Sequence, residues 1–246
     1  MIDRNHKLSI TRQARMLRDQ LAMQGLHAGR QHIRTLMLRM GMEALAPQPG
    51  TSKAAPGHKI YSYLLRNVAV TRANQVWALD TTYIPMARGF VYLTAVVDVA
   101  SRRVLTHKVA LTLTLEAAHA REVIEQAFIR YGTPEIVNTD QGSQFTAEEF
   151  TSVVLAQGCK LSMDGRGAWR DNVFVERVWR SVKYERVYLK VYDSVHAARA
   201  DIADYLVWYN RARPHSSLER LPGPQHRPLT PDEAYAKLLP TMRRAA

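Results

Sequence analysis

Cysteine is almost absent from this chain: Cys159 is the only one in 246 residues. A lone thiol excludes an internal disulfide framework and fits a reducing compartment. No CxxC pair occurs, and none of the nine histidines has the spacing of a zinc-protease helix. Long apolar runs are missing as well, and no stretch approaches the roughly 18–20 residues of a membrane span. The opening stretch, MIDRNHKLSITRQARML, is charged throughout and lacks the apolar core of a signal peptide. Acidic excess is missing too. Lysine and arginine number 34 against 22 aspartates and glutamates, a net charge of +12.

Apolar residues make up 46% of the chain, enough to build a sizeable core. The length suits one ordinary domain with a small companion, or one large domain. The positive charge is unevenly placed. Residues 1–66 carry 11 Lys/Arg against 3 Asp/Glu, residues 67–204 carry 16 against 16, and residues 205–246 carry 7 against 3. A neutral centre between two basic ends points to a polyanionic partner, with a general basic bias as the plainer alternative.

Residues 11–41 show helical spacing on either side of GLHAG (25–29). Ala14, Leu17, Leu21 and Gln24 mark one helix, and Ile33, Leu36, Met37 and Met40 the next. Arg30 and Arg34 lie one turn apart on the second. The pattern is compatible with helix-turn-helix DNA docking and equally with any short helical hairpin. APQPGTSKAAPGH (46–58) has no apolar period and reads as a linker. Residues 75–85, 90–100 and 104–111 then read as three strands with short turns, an antiparallel meander. A helix over 115–131 ends at Gly132 and Pro134. A short strand over 135–140 follows, then a helix over 147–157 with Thr146 as its expected cap, and a short strand over 160–164. Further helices are expected over 169–185, 194–213 and 232–239, with Ser194 or Asp193 capping the long one. Residues 213–231 read as an irregular Pro- and Arg-rich tail. The order of elements is that of an α/β domain with a mixed sheet.

Three carboxylates fall in unusual contexts. Asp80 interrupts an apolar, Thr-rich strand, Asp140 follows a strand in NTDQGSQFT, and Glu176 sits on a helix in WRDNVFVERVWRSVKYE. A mostly buried carboxylate is costly unless it is paired, hydrogen-bonded or bound to a metal. At about 100° per residue, Glu176 lies at the edge of the stripe formed by Val175, Val178, Trp179 and Val182. Asn172, Arg180 and Lys183 flank it within about 40° on either side. Asp171 would cap that helix, and Glu185 points away. Hard oxygen donors without Cys or His suit Mg²⁺ or Mn²⁺. Two such ions could serve phosphodiester chemistry, although composition alone does not bring the three acids together.

The spacing is specific. Asp140 and Glu176 are separated by 35 residues, and Lys183 follows seven after Glu176. With VWALDTTYI, NTDQGSQFT and YLVWYNRARPHSSL, the chain closely resembles the insertion-sequence-three family of bacterial transposases, in particular their second-frame (OrfB) product, over roughly residues 60–220. The resemblance implies a ribonuclease-H-like, retroviral-integrase-like mixed sheet flanked by helices, preceded by a small helix-turn-helix-like segment. It divides the chain into a helical DNA-binding segment (1–45), a linker (46–70), the integrase core (71–220) and a basic Pro-rich tail (221–246). It implies an Asp-Asp-Glu metal triad of Asp80, Asp140 and Glu176, holding two Mg²⁺ (or Mn²⁺) for end cleavage and strand transfer. Lys183 matches a position thought to contact the transposon end. With Arg180, Asn172, Arg30, Arg34 and Arg213 it makes up the expected DNA contacts. Tyr209, Asn210, Arg213, Pro214 and His215 match the family's C-terminal signature. For Tyr205 and Tyr209 packing is expected, and for Asp98 an ion pair or a turn. The implied partners are DNA, further copies of the chain on DNA and an upstream helix-turn-helix frame product, with no membrane, in the cytoplasm at the nucleoid.

Three departures stand out. The N-terminal segment is short, because ITRQARML runs directly into what resembles a later helix. Residues 218–235 look longer than the family pattern, and Ala73 stands where a proline is common. These leave a second reading open, a DNA-binding remnant without transposition.

Overall fold

The computed structural model describes residues 14–40, 61–111, 117–164, 173–222 and 226–240. Their contacts form two compact units. One combines the described residues of Met1–Ser52 with Trp208–Ala234, and the other those of Lys53–Val207 with Tyr235–Ala246.

The larger unit is built on a five-stranded sheet in the order β3-β2-β1-β4-β5. Strands β1 (Val76–Pro85), β2 (Phe90–Asp98) and β3 (Val104–Ala110) form the expected antiparallel meander. Strands β4 (Ile136–Thr139) and β5 (Lys160–Met163) join in parallel. The central strands are buried along most of their length, as β-branched, apolar sequences with both faces covered should be. On one face Trp77 and Leu79 of β1 pack with Val123, Ile124 and Phe128 of α3 (Ala117–Tyr131) and with Phe150 and Val154 of α5 (Glu148–Ala156). Trp77 stacks on Phe128 with ring centroids 5.7 Å apart, and its indole donates to Asn74 Oδ1 at 3.0 Å. Gly132 ends α3 at φ +77°, a conformation that favours glycine.

Thr146 does not cap α5. Residues Ser143–Thr146 form their own short helix, α4, so Thr146 is its last residue and its hydroxyl donates back to the Gly142 and Ser143 carbonyls. Ala147 stands at the N-cap of α5 with no side-chain bond. Helix α6 (Val173–Glu185) buries Val175, Val178, Trp179 and Val182, the stripe expected from its periodicity. Asp171 lies outside the described residues. Ser194 does cap α7 (Val195–Arg211), its hydroxyl accepting the Ala197 N–H at 3.1 Å. Asp98 has the turn role: its buried carboxylate accepts the N–H groups of Asn74 and Ser101 at 2.8 Å each, and the Ser101 hydroxyl.

Asp201 of α7 accepts from Arg186, Lys190 and Tyr192, fastening α7 to the segment after α6. Burial works to raise its pKa, but those three donors outweigh burial and hold it below the usual range. That stability is present above the carboxylate's unfolded pKa and is lost as pH falls through the folded one. Asp201→Ala should therefore cost about 2 kcal/mol. Urea denaturation at pH 7 measures this directly, and an unchanged midpoint would remove the fastening role.

The smaller unit holds α1 (residues 14–23), α2 (Arg30–Arg39) and the segment that follows α7. Ala14, Ile33 and Met37 are buried, with Leu17 and Leu21 against them. Leu36 and Met40, expected on the same stripe, are exposed, because the two short helices cover only one narrow face. The C-terminal segment is more ordered than its Pro- and Arg-rich composition suggests. His215 donates its N–H to the Leu229 carbonyl, and Leu229 in turn to Glu219. Arg227 is buried and forms a two-point pair with Glu233 of α8 (Pro231–Leu238), at 2.7 and 2.8 Å. Asp19 of α1 is buried too, paired with Arg18 and, at 3.4 Å, with Arg220 from the far end of the chain. No described helix is long and apolar enough to cross a membrane.

Candidate active site

Strand register brings the first two carboxylates together. In the parallel pair β1–β4, Ala78 lies opposite Asn138. Asp80 and Asp140 each follow two residues later, so they stand level, on the same side, where β4 ends and β1 runs on. That side is opposite Trp77 and Leu79 and faces α6. The α6 residue Trp179 donates its indole N–H to Asp80 Oδ2 at 2.8 Å. The other oxygen, Oδ1, accepts the Thr81 N–H at 2.7 Å. Asp140 closes a tight turn, its Oδ1 accepting the Gly142 N–H at 2.9 Å.

Electrostatics ties in the third acid. Burial, the charge of Asp140 and, more weakly, that of Glu176 raise the Asp80 pKa to about 8, against the lowering effect of the Trp179 and Thr81 bonds. Burial also raises Asp140, with the Gly142 N–H opposing it. Glu176 is exposed along most of its length, yet its carboxylate is drawn partly out of water and its pKa rises. Asp80 thus stands level with Asp140 and feels, more weakly, the charge of Glu176. Among the described residues no three His, Cys, Asp or Glu side chains close into a finished metal cage. The donor set nevertheless fits a hard divalent cation: carboxylate oxygens only, two of them fixed by hydrogen bonds and all three penalised as bare anions.

Lys183 reaches the same place. Burial lowers its pKa while the Asp80 charge raises it, and its ammonium sits 4.7 Å over the Tyr83 ring. Arg180 is exposed, 5.7 Å over Tyr184. Asn172 lies outside the described residues. Arg30, Arg34 and Arg213 belong to the smaller unit, where Arg30 is exposed and Arg213 lies 5.4 Å over the Tyr209 ring. Tyr209 is buried, with His215 edge-on at 6.4 Å. Tyr205 donates its hydroxyl to Glu185 at 2.7 Å.

Motif reading did not assign roles to Trp179 or Gly142. Trp179 counted there only as apolar. At Gly142 an added Cβ would lie 2.6 Å from the Gln144 amide nitrogen and 2.9 Å from Asp140 Oδ1. Gly142→Ala must therefore push the buried Gln144 side chain or the Asp140 carboxylate aside. We expect at least a tenfold loss of strand transfer with an unchanged circular dichroism spectrum. Full activity would mean that the turn can yield without moving Asp140.

Models described as integrase core domain match residues 70–168 and 157–222. The transposase InsF for insertion sequence IS3A of Escherichia coli (strain K12) is 29% identical over 206 residues, 81% of this chain and 71% of that protein. The chain belongs to the insertion-sequence-three family of transposases, with an integrase core. A 31 kDa protein of insertion element IS600 from Shigella sonnei is 26% identical over 83% of the chain and 76% of its own length. Among solved structures, the simian T-cell lymphotropic virus intasome in complex with PP2A regulatory subunit B56 gamma matches at a TM-score of 0.52 and 17% identity. That match covers 79% of the transposase and 65% of the viral complex's chain, just under two thirds, and establishes the ribonuclease-H-like fold. The protein is a DNA transposase, a polynucleotidyl transferase that cuts and rejoins phosphodiesters.

Proposed function

We propose that Asp80, Asp140 and Glu176 form the catalytic triad, and that they hold Mg²⁺ or Mn²⁺, with two ions at work. The observation behind this is the strand register that sets Asp80 level with Asp140, with burial and the charges of Asp140 and Glu176 raising the Asp80 carboxyl. A folded protein keeps such a penalty only where something offsets it. Bound there, divalent ions would activate the attacking oxygen and steady the leaving one at phosphorus. The Trp179 indole fixes one Asp80 oxygen, and the Thr81 and Gly142 amides fix one oxygen each on Asp80 and Asp140. These bonds hold the two carboxylates in place before substrate arrives. Glu176 enters from α6 as the movable third ligand. Water cuts the element end and leaves a 3′-hydroxyl, which then attacks a second phosphodiester. Lys183 and Arg180 meet the phosphates beside the triad.

In the same proposal residues 1–45 bind the element end, 46–70 connect, 71–220 carry the catalytic core and 221–246 add backbone affinity. Arg30, Arg34, Arg213 and Asn172 are further DNA contacts. An element has two ends, so at least two copies of the chain meet on DNA. An upstream helix-turn-helix frame product can supply end recognition, and the place of action is the cytoplasm at the nucleoid. Calorimetric titration with Mn²⁺ tests the metal site. Saturable binding of two equivalents, lost in Asp80→Asn, is expected. Equal binding by that variant would sink the triad.

A further inference from the structure

The end of β1 carries an aromatic patch that the chemistry above does not use. Strand β4 pairs only with Val76–Ala78 of β1, whereas β2 accompanies β1 to Pro85. Beyond Ala78 the β1–β2 hairpin therefore runs on past β4. On this arm Tyr83 is 60% exposed and Phe90 45% exposed. Their rings meet edge-on at 6.2 Å, and Phe90 meets Tyr92 the same way at 5.4 Å. Water-facing aromatics held rigid by one another are poor solubility choices, and packing does not require them. A cation lies against this patch: the Lys183 ammonium sits over Tyr83, and that same ammonium senses Asp80. Two turns of α6 thus join the patch to the carboxylates.

We propose that Tyr83, braced by Phe90 and roofed by Lys183, is a stacking platform for an unpaired base of the DNA substrate next to the scissile phosphate. This rests on the triad assignment for the location of that phosphate. Every base has a π face, so stacking on an exposed ring is tolerant of sequence, and a neighbouring cation supplies the phosphate contact. The Lys183 stem is long and flexible, and a cation–π contact at an exposed site is weak. The ammonium swings from the ring to the incoming phosphate, and the ring face it leaves takes the base. Phe90 keeps the Tyr83 ring from turning. A strand end that frays next to the carboxylates is caught before it re-pairs, which keeps the reacting phosphodiester in place.

The test compares a blunt duplex with the same duplex carrying a short single-stranded end labelled with 2-aminopurine, both in EDTA so that no chemistry occurs. The full-length protein should prefer the overhang and quench the label. Tyr83→Ala should lose roughly tenfold in overhang affinity, with the blunt duplex bound as before. Tyr83→Phe should keep the preference. Lys183→Ala should weaken both substrates. An unchanged overhang preference in Tyr83→Ala overturns the platform, as does an equal loss on both substrates. A fall in oligomeric mass by light scattering with the preference intact assigns the patch to a second copy and overturns it too. Asp140→Asn separates the two assignments. Strand transfer surviving in that variant removes the triad, while the overhang comparison in EDTA does not depend on it.

Discussion

Asp140→Asn and Glu176→Gln should each abolish strand transfer, by roughly a thousandfold or more, with DNA binding retained. Both changes keep the shape of the side chain and delete its charge. In Asp140→Asn the new amide oxygen can still accept from the Gly142 N–H, so the turn survives. Charge stabilisation by a divalent ion at phosphorus is worth several kcal/mol, and each 1.4 kcal/mol is tenfold in rate. The affinity for DNA comes from Lys and Arg, and neither change touches those. A gel assay of joined product, run beside a binding isotherm, reads both quantities. Activity within tenfold of wild type in either variant would take that carboxylate out of the chemistry. Loss of DNA binding in step with activity would instead point to a damaged fold.

A second large effect is expected in the protein without added metal: stability should fall as pH rises through about 7 to 8, and Mn²⁺ should reverse the fall. The Asp80 carboxyl releases its proton near 3.8 when unfolded and near 8 when folded. Between those values the folded state holds the extra proton, so raising pH favours unfolding. Asp140 and Glu176 are shifted in the same direction. Asp201 and Glu233 are shifted the opposite way, but they are fully ionised well below pH 6. Burial lowers His107 and His119 from 6.5, which makes stability rise with pH only up to about that value. Asp80, with its folded value of about 8, is the group expected to titrate in this interval, with Asp98, Asp140 and Glu176 shifted in the same direction. The slope there can reach about 1.4 kcal/mol per pH unit, less where water enters the pocket. Denaturation in EDTA across that interval, repeated with Asp80→Asn, is decisive. The substituted amide keeps an oxygen to accept one of the two hydrogen bonds, carries no titrating proton and should flatten the curve. Equal slopes in the two proteins would place the titrating group elsewhere.

The sheet was legible because its strands are apolar, β-branched runs, stopped by Pro85 and by the turn at Arg102 and Arg103. Helix α6 was legible because a 3.6-residue period separates Val175, Val178, Trp179 and Val182 from Glu176. The acids stood out as charges in apolar surroundings. That Asp80 stands level with Asp140 could not be read locally, since it depends on Ala78 lying opposite Asn138, a register that only the folded sheet defines. The Trp179 bond to Asp80 spans 99 residues and leaves no periodic trace. Thr146 was misplaced because a good cap residue just before an acidic, apolar run looks the same whether or not a separate helical turn precedes it. The tail from residue 213 looked irregular because its order comes from single pairings, such as Arg227 with Glu233, and not from a repeating pattern.

The ion pair between Asp19 and Arg220 has a bearing on biosynthesis. The smaller unit draws one part from the start of the chain and the other from residues 208–234. On the ribosome, α1 and α2 emerge well before Arg220, so the buried Asp19 must wait some two hundred residues for its partner. The larger unit has nearly all of its residues before the smaller one can be completed. A message truncated after α7 would thus encode the three carboxylates but leave the N-terminal helices unfinished. Completion of the smaller unit is thus tied to the synthesis of residues 208–234, well after its helices α1 and α2 have been made.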